Sequence, residues 1–363
     1  MPAIATHPAA STTSSPAAPQ RVLLIADDLT GACDAAAAFL NQSSVRVWLG
    51  AVADPDSPEA VQAFNTDSRN LPSAAAAHAV ADCAAHLSTD ALLFKKIDSA
   101  GRGPIAAELL AAQLSLDADL IILAPSFPAL NRVVRDGVLY VFPASGLGTR
   151  LPLRTLFPLS ERAAITVVMQ PGALAHAAAS GCRIAICDAE TDDDLTALVT
   201  AAEALPQRIL YAGSAGLAHA LAATRRSIEA QPRNPLPVAS NSLLIVGTQH
   251  TVTLLQLAHL KQHQPTAAPH IIRSESADTP GILSRFADLN PEALILTGGD
   301  TALLTLRTLG AHSISLRGEI APGIPWGIID GGLAHGRTVV TKSGGFGASD
   351  ALTHILNTLS GTA

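Results

Sequence analysis

Short apolar runs alternate with longer Ala- and Leu-rich stretches along most of the chain, and this alternation restricts the fold more than any other feature. The apolar runs of the first half are residues 22–26, 45–49, 63–66, 91–97, 120–124, 183–187 and 208–212. The stretches between them predict helices over 31–40, near Pro58, over 73–87 and over 104–114. Strands that alternate with helices form a mostly parallel sheet covered by helices on both faces. We therefore predict an α/β fold.

The same pattern restarts after a break at about residues 226–241, where three prolines stand among polar residues. Proline disfavours both helix interiors and central strands, so this segment is typical of a linker. A chain of 363 residues is long enough for two cores, because single cores stop growing near ~250–300 residues. We predict a disordered tail at 1–20, a first domain at 21–228, a linker at 229–241 and a second domain at 242–363. Each domain is expected to be a mostly parallel sheet flanked by helices, with the active site in the cleft between them.

Composition excludes several classes of protein. The chain is 48% hydrophobic and 15% charged, as in a folded globular protein. Its net charge of −7, without a basic run interleaved with aromatics, argues against nucleic-acid binding. No apolar run approaches the ~18–20 residues of a membrane span. Residues 1–20 lack both a basic start and an apolar segment, so they are not expected to be a signal peptide.

Cysteine and histidine give no sign of a metal site. The four cysteines, Cys33, Cys83, Cys182 and Cys187, form no CxxC pair, and the twelve histidines are scattered. We interpret the cysteines as reduced, mostly buried thiols of a cytoplasmic protein. The sequence is compatible with a homo-oligomer and does not define one.

A glycine-rich turn, Lys342-Ser343-Gly344-Gly345-Phe346-Gly347, follows an apolar run at 338–341 and precedes a helical pattern. Glycines let a ligand approach the backbone closely, and the unpaired N–H groups at a helix start suit an anion. Lys342 adds a positive charge. The turn therefore predicts a phosphate cradle, most simply for a nucleotide. The alternative is an ordinary helix entry capped by Ser349 or Asp350.

Two further turns of the second half follow predicted strands at 243–246 and 293–297. They are Gly247-Thr248-Gln249-His250 and Gly298-Gly299-Asp300-Thr301, and each precedes a predicted helix. Three such turns at the ends of neighbouring strands predict a nucleotide site. The chain contains neither the G-x-x-x-x-G-K-[ST] phosphate loop nor a complete G-x-G-x-x-G.

Polar residues follow the strands of the first half in four clusters: Asp27-Asp28, residues 67–69, residues 98–102 and Asn131-Arg132. Ligands of open parallel sheets bind in the crevice at the carboxyl ends of the strands. Each cluster alone could be a capped turn, but together they favour one shared binding site.

Taken in order, these clusters resemble the four-carbon acid sugar kinase family, which acts on threonate- and erythronate-like acids. The resemblance is carried by Asp27-Asp28-Leu29-Thr30-Gly31, and by residues 65–69, 95–103, 124–132, 247–256, 297–302, 319–325 and 341–347. It covers nearly the whole chain after the tail. The family places a sugar-acid-binding domain first and a nucleotide-binding domain second, and it transfers phosphate from ATP to a hydroxyl of the acid.

The resemblance implies an ATP- and Mg²⁺-dependent kinase acting on threonate, erythronate or a 2-oxo- or 3-oxo-tetronate. Magnesium would be held mainly by phosphate and water, and the sequence does not identify its protein ligands. The residues expected to bind the nucleotide are Thr248, Gly298, Gly299, Asp300, Thr301, Lys342, Gly344, Gly345, Phe346 and Gly347.

Arg69 and Arg102 are the residues we expect to hold the carboxylate of the acid, because a planar guanidinium bonds both carboxylate oxygens. Either could instead be a surface arginine. Asp27 and Asp28 could accept hydrogen bonds from substrate hydroxyls, and Asp28 is our choice to take the proton of the attacking hydroxyl. The alternative is that either aspartate caps the helix that starts near Gly31.

Lys96 and Asp98 share the next strand end. We predict that both contact the substrate; the alternative is a structural pair between them. One segment departs from the family pattern: Ser99-Ala100-Gly101-Arg102-Gly103-Pro104 stands where Ser-Thr-Leu-Arg-Gly-Asn is usual. The lost hydroxyl and apolar side chain leave the identity of the substrate open.

Two other classes of function stay open at this point. An ATP-independent sugar-acid isomerase or lyase would leave the glycine turns without a role. A sugar-acid sensor that binds without reacting has one hint in its favour, the Ala100-Gly101 departure.

Overall fold

The computed structural model describes residues 21–51, 57–88, 90–142, 148–225, 235–267, 269–271 and 279–362. The predicted tail at 1–20 and residues 229–234 of the predicted linker lie outside these ranges. Residues 235–241 form no helix or strand and lead directly into the next strand.

The first half contains eleven strands and six helices within the described residues. Its elements are β1 (Val22–Ala26), α1 (Leu29–Ala37), β2 (Val45–Trp48), β3 (Val61–Asn65), α2 (Ser73–Ala84), β4 (Leu92–Lys96), α3 (Ile105–Ser115), β5 (Leu120–Ala124), β6 (Arg132–Arg135), β7 (Val138–Val141), β8 (Thr149–Pro152), β9 (Ile165–Val168), α4 (Leu174–Ala179), β10 (Ile184–Cys187), α5 (Asp192–Glu203), β11 (Ile209–Gly213) and α6 (Ala215–Thr224). The predicted helix near Pro58 is wrong: residues 57–59 have no regular structure and precede β3.

The second half continues the alternation and adds a hairpin. Its elements are β12 (Ser242–Val246), α7 (Thr251–His263), β13 (His270–Ile271), α8 (Thr279–Leu289), β14 (Ala293–Thr297), α9 (Gly299–Thr308), β15 (Ser313–Ala321), β16 (Ile324–Asp330), β17 (Thr338–Lys342) and α10 (Ala351–Ser360). The antiparallel hairpin of β15 and β16, which turns at Pro322 and Gly323, was not predicted.

One large sheet runs through both halves of the molecule. Its strand order is β13-β12-β14-β17-β16-β15-β2-β3-β1-β4-β11-β5-β10-β9. Neighbours are parallel except at the hairpin and its two flanks, where β16 pairs with β17 and β15 pairs with β2 in antiparallel register. The prediction of an α/β fold with mostly parallel strands flanked by helices is confirmed. The sequence did not predict that the two sheets join edge to edge, with Val45–Trp48 against residues 313–316.

A second, small sheet of β6, β7 and β8 is antiparallel. It is tied to the main body by an isolated bridge between Val134 and Ala189. Because it follows β5, it places Arg132 and Phe142 beside the carboxyl ends of the parallel strands.

Helix α1 lies at the junction of the two halves. All nine of its residues are buried, and it contacts β1, β2 and β3 on one side and α9, β15 and β16 on the other. Its sequence is rich in Ala and Gly, and small side chains let neighbouring elements approach closely. A continuous apolar core follows one face of the sheet from Leu24 and Ile122 in the first half to Leu294 and Val339 in the second. The helix therefore fixes the halves relative to each other.

All four cysteines are buried and form no disulfide, as predicted. Within the described ranges, no helix combines the length and apolar character that crossing a membrane requires.

Candidate functional site

A cleft of about 1360 Å³ opens between the two halves at the carboxyl ends of the strands. Fourteen of the sixteen predicted site residues line it: Asp28, Arg69, Lys96, Asp98 and Arg102 from the first half, and Thr248, Gly298, Gly299, Asp300, Thr301, Gly344, Gly345, Phe346 and Gly347 from the second. The other two, Asp27 and Lys342, lie behind its walls.

Arg69 is surrounded by aspartates. Its Nε and Nη2 atoms donate to the two oxygens of Asp27 at 2.7 and 2.9 Å, and Nη2 also donates to Asp28 at 2.6 Å. Its Nη1 lies 3.7 Å from Asp98. The planar fork that we predicted for the substrate carboxylate is thus occupied by Asp27. These carboxylates outweigh burial and raise the pKa of Arg69.

Asp28 ends the loop after β1 and caps α1. Its Oδ1 accepts from the backbone N–H of Gly31 at 3.0 Å, and its Oδ2 accepts from the hydroxyl of Thr30 at 2.7 Å. Burial raises the pKa of this carboxyl, but the charges of Arg69 and Lys96 outweigh it and hold the pKa below its ordinary value. Asp28 therefore caps α1, as the alternative interpretation has it, and it also lines the cleft.

Asp98 and Arg102 form the next part of the wall. Nε and Nη2 of Arg102 donate to the two oxygens of Asp98 at 3.1 and 2.5 Å, and the backbone N–H groups of Ala100 and Arg102 donate to Oδ1. Burial raises the pKa of Asp98, but the bonds from Arg102 and the charge of Arg69 hold it well below its ordinary value. Lys96 does not pair with Asp98 directly; its Nζ donates to the carbonyl of Ile97 at 2.8 Å.

A buried ion pair supports this wall from behind. The ammonium of Lys95 lies 2.7 Å from Oε2 of Glu108, and Ser68 donates to Oε1 at 2.6 Å. Both charged side chains are almost fully buried, and such pairs are strongly destabilised when one partner is removed. This network fixes the loop that carries Arg69.

In the second half, the glycine turn at 343–348 is held from behind. Thr253 donates to the carbonyl of Gly344 at 2.7 Å, and Gln256 donates to the carbonyls of Phe346, Gly347 and Ala348 at 3.0, 3.2 and 2.8 Å. Within the described chain, the N–H groups of Gly344 and Gly345 donate to no protein acceptor. The turn therefore has its carbonyls engaged and its N–H groups available, which is the arrangement that binds anions.

Lys342 belongs to the support of this turn. Its Nζ donates to the carbonyls of Ser343 and Phe346 at 2.9 and 3.0 Å, so the ammonium braces the turn from behind. The side chain is fully buried without a carboxylate partner in the described residues. Burial lowers the pKa of Lys342 to about 7.

The three glycine turns of the second half pack on one another. A Cβ atom on Gly247 would overlap the hydroxyl of Thr301, and one on Gly344 would lie 2.5 Å from the hydroxyl of Thr248. Gly298 has a φ of +101°, a conformation that favours glycine. Side chains at these positions would fill the space in which the turns meet.

Two sequence-family models match the chain. A sugar-binding N-terminal domain matches residues 22–160 and 154–221, and a nucleotide-binding C-terminal domain matches residues 276–352. A D-threonate kinase of Bordetella bronchiseptica is 32% identical over 91% of this chain and 95% of its own length. The chain belongs to the four-carbon acid sugar kinase family.

Other members of the four-carbon acid sugar kinase family are more distant. A D-threonate kinase of Cupriavidus necator is 30% identical over 92% of this chain and 96% of its own, and a 3-oxo-tetronate kinase of the same organism is 25% identical over 93% and 96%. Among solved structures, the protein HI1011 of Haemophilus influenzae shares the fold, with a TM-score of 0.66 at 18% identity over 93% of this chain and 100% of its own. A putative tRNA synthase from Salmonella typhimurium gives a TM-score of 0.73 at 19% identity over 93% and 98%.

Sequence reasoning missed three side chains that line the cleft of this family member. Asp34 lies on α1, Arg132 begins β6, and His250 caps α7 by accepting from the N–H of Val252 at 3.2 Å. The sequence carries one signal for Asp34, a lone charge among the small residues of a helix. Arg132 and His250 stood within the quoted clusters, but nothing in their spacing separated them from their neighbours.

Arg132 reaches from the first half to the glycine turn. Its guanidinium lies over the ring of Phe346, 5.9 Å from the centroid, and its Nη1 donates to the carbonyl of Leu130 at 2.9 Å. Its buried Nε has no hydrogen-bond partner in the described structure. Burial lowers the pKa of His250 beside it, and the charges of Arg102, Lys342 and Arg132 lower it further. The cleft thus concentrates positive charge next to the turn.

No group of three or more His, Cys, Asp or Glu side chains suited to a metal ion exists among the residues that the structure describes.

Proposed function

We propose that the protein is an ATP-dependent kinase that phosphorylates a hydroxyl of a four-carbon sugar acid. One observation carries the proposal: the glycine turns of the second half and a cluster of aspartates and arginines of the first half face the same cleft, and Asp28 touches Gly299 of one of these turns. A phosphate group bound by the turns and a hydroxyl near Asp28 would therefore share the cleft. Phosphoryl transfer depends mainly on this positioning and on neutralised charge.

In this proposal residues 21–228 bind the acid, residues 229–241 link, and residues 242–363 bind ATP. The N–H groups of Gly344 and Gly345 bond phosphate oxygens, and Lys342, Thr253 and Gln256 keep those groups directed into the cleft. Thr248, Thr301 and the turns that carry them form the rest of the nucleotide site.

The carboxylate of the acid is held by Arg102 and Arg132. Arg69 is already shared by three aspartates, so a substrate carboxylate would have to displace Asp27 from its fork. Arg132 has an unpartnered Nε, and the exposed Arg102 side chain is bonded through one edge only. Two guanidinium groups at one end of the acid would also orient its hydroxyls toward Asp28 and Lys96.

Magnesium accompanies ATP. It prefers oxygen ligands and keeps several waters, so a site with few protein ligands suits it. Asp300 is the acidic side chain of the glycine turns that lines the cleft, and it would ligate the ion. The ion would neutralise charge on the phosphates.

The name of the two D-threonate kinases cited above supports D-threonate as the first acid to test. The purified full-length chain should release ADP from ATP only when an acid is added, compared over D- and L-threonate, D- and L-erythronate and 3-oxo-tetronate. Phosphorus NMR should show a phosphomonoester of the acid. ATP-independent loss of the acid would indicate an isomerase or lyase, and binding without turnover would indicate a sensor.

A cytoplasmic location and a homo-oligomer stay predictions. Cell fractionation tests the first, and sedimentation of the purified protein tests the second.

A further inference from the structure

Asp34 is the one charged residue within α1, which is otherwise built of Leu, Thr, Gly, Ala and Cys. Its side chain is 4% exposed and borders the cleft. Its Oδ1 is buried and accepts no hydrogen bond from the part of the chain that the structure describes. Buried polar atoms are almost always bonded, so a buried, unpartnered carboxylate oxygen on a residue that lines the cleft indicates that a ligand group supplies the bond.

Asp28, which caps α1, and Asp34, which lies within it, differ in their capacity to accept a proton. Asp28 accepts three hydrogen bonds, from Arg69, Thr30 and Gly31, and its pKa lies below its ordinary value. Asp34 has an open oxygen, and its environment favours the protonated form. The sequence favours Asp28 as the proton acceptor, but in the structure its oxygens are already engaged in capping and in the pair with Arg69.

The charges around Asp34 come from four elements. The pKa of Asp34 is raised to about 7, and burial is the largest cause. Glu319 on β15 and Asp28 before α1 also raise it, while Lys96 on β4 and Arg132 on β6 lower it. A carboxyl poised near neutral pH is suited to accept a proton in the reaction and to release it afterwards.

Asp34 also lies where the two halves meet. The hairpin turn of the second half passes close to it: a Cβ atom on Gly323 would be 3.6 Å from Oδ1 of Asp34 and would touch the ring of Phe346. Phe346 belongs to the glycine turn, so the carboxyl of Asp34 in the first half lies near the phosphate-binding turn of the second half.

We propose that Asp34 is the general base of the kinase, a role that rests on the function proposed above. The carboxylate of Asp34 takes the proton of the attacking hydroxyl while the hydroxyl oxygen bonds to the γ-phosphorus of ATP. The bond between that phosphorus and the oxygen bridging to the β-phosphate breaks, and its electrons leave with ADP. Asp34 then releases the proton to water as the products depart.

The test compares Asp34→Asn, Asp34→Ala and Asp28→Asn with the wild type, with D-threonate as acceptor and ATP as donor. Thermal melting and ATP titration establish that each variant is folded and binds nucleotide. We expect Asp34→Asn to lower kcat by about 10²–10⁴-fold, as removal of a general base does, with the KM for ATP changed less than about threefold. The wild-type enzyme should lose kcat/KM below about pH 7, and the residual activity of Asp34→Asn should show no such decrease.

Chemical rescue separates a catalytic from a structural role. Formate is a small carboxylate that can enter the space left in Asp34→Ala, so it should restore part of the lost kcat in that variant. The Asp28→Asn variant keeps its base and should show no response to formate.

The outcomes distinguish this proposal from the one on which it rests. If the wild type consumes ATP with D-threonate and Asp34→Asn retains kcat within about fivefold and keeps its acidic limb, Asp34 is not the base and the kinase function stands. Failure of formate to rescue a folded, ATP-binding Asp34→Ala also overturns the role of Asp34. A wild type that consumes no ATP with any acid of the panel overturns both proposals.

Discussion

The carboxylate of Asp28 lies against the backbone of Gly299, at the point where the first turn of α1 meets the first turn of α9. A Cβ atom on Gly299 would overlap Oδ2 of Asp28 and lie 3.3 Å from the hydroxyl of Thr30. The acid-binding wall and the phosphate-binding turns are therefore in direct contact at this point, and the absence of a side chain at position 299 permits it.

Gly299→Ala should separate these two turns. Overpacking a tight contact costs about 1–3 kcal/mol, so we expect a lower melting temperature together with a loss of kcat that exceeds the change in either KM. Gly172→Ala is the matched control, because a Cβ atom there meets no atom within 4 Å. Equal behaviour of the two variants in melting and kinetic assays would mean that the contact is not required.

Arg132 and Arg69 should respond differently to replacement by lysine. Arg132→Lys loses the fork that we assign to the substrate carboxylate, and one bond to a charged group is worth ~1.5–3 kcal/mol, or roughly 10- to 150-fold in affinity. The KM for the acid should rise by that factor while the KM for ATP stays nearly constant.

Arg69→Lys should instead destabilise the fold, because it leaves Asp27 and Asp28 buried with fewer hydrogen bonds. Thermal melting of both variants, with steady-state kinetics for both substrates, distinguishes the two roles. If Arg69→Lys raises the KM for the acid and leaves the melting temperature unchanged, Arg69 binds the substrate carboxylate, as the sequence predicts.

Lys342 should take up a proton when ATP binds. Its pKa of about 7 leaves it largely neutral at pH 8, and phosphates on the adjacent turn favour the charged form. Calorimetric titrations of ATP in buffers with different ionisation enthalpies should therefore report uptake of a fraction of a proton. Lys342→Met should abolish that fraction. An uptake that persists in the variant would assign it to another group, such as His250.

Asp34→Asn should stabilise the protein at neutral pH while it removes activity. The unfolded carboxyl loses its proton near its ordinary pKa of 3.8, whereas the folded one keeps it to about 7. Folding is thus penalised progressively between these pH values, by roughly 4 kcal/mol in full. The melting temperature of Asp34→Asn relative to wild type should rise between pH 4 and pH 7 and then level off.

Asp193→Asn, on the exposed first turn of α5, is the control for this comparison. A difference between Asp34→Asn and wild type that stays constant from pH 4 to pH 8 would contradict the raised pKa of Asp34. Stabilisation by loss of a charged site residue is the expected trade-off between stability and activity.

Much of this site could be predicted because strand ends converge. Parallel strands bring Asp28, Lys96 and Asp98 to one edge of the sheet, so their position after apolar runs was enough to group them. The glycine turns could be grouped for the same reason. What the sequence could not give is which donors each side chain meets: the fork of Arg69 is occupied by Asp27, 42 residues away, through contacts that only the folded chain creates.

Pairing between strands that are distant in sequence was the other feature that the sequence could not predict. The hairpin of β15 and β16 was missed because its runs are interrupted by Arg317, Gly318 and Glu319, which weaken the strand pattern. The pairing of the hairpin with β2 could not be predicted for a different reason. β2 and β15 lie more than 260 residues apart, and no local sequence preference encodes which sheet edges meet.

The antiparallel pairing of β2 with β15 has a mechanical consequence for how substrates enter. Opening the cleft by rotating one half away from the other would strain a ladder of backbone hydrogen bonds, and Arg46 reinforces the same line by bonding Glu59 on one side and Ser313 and Asp330 on the other. A joint of this kind resists separation but tolerates a change in sheet twist. The two substrates would thus enter a cleft whose halves stay joined along one edge. Small changes in the twist of the sheet would set the width of the cleft.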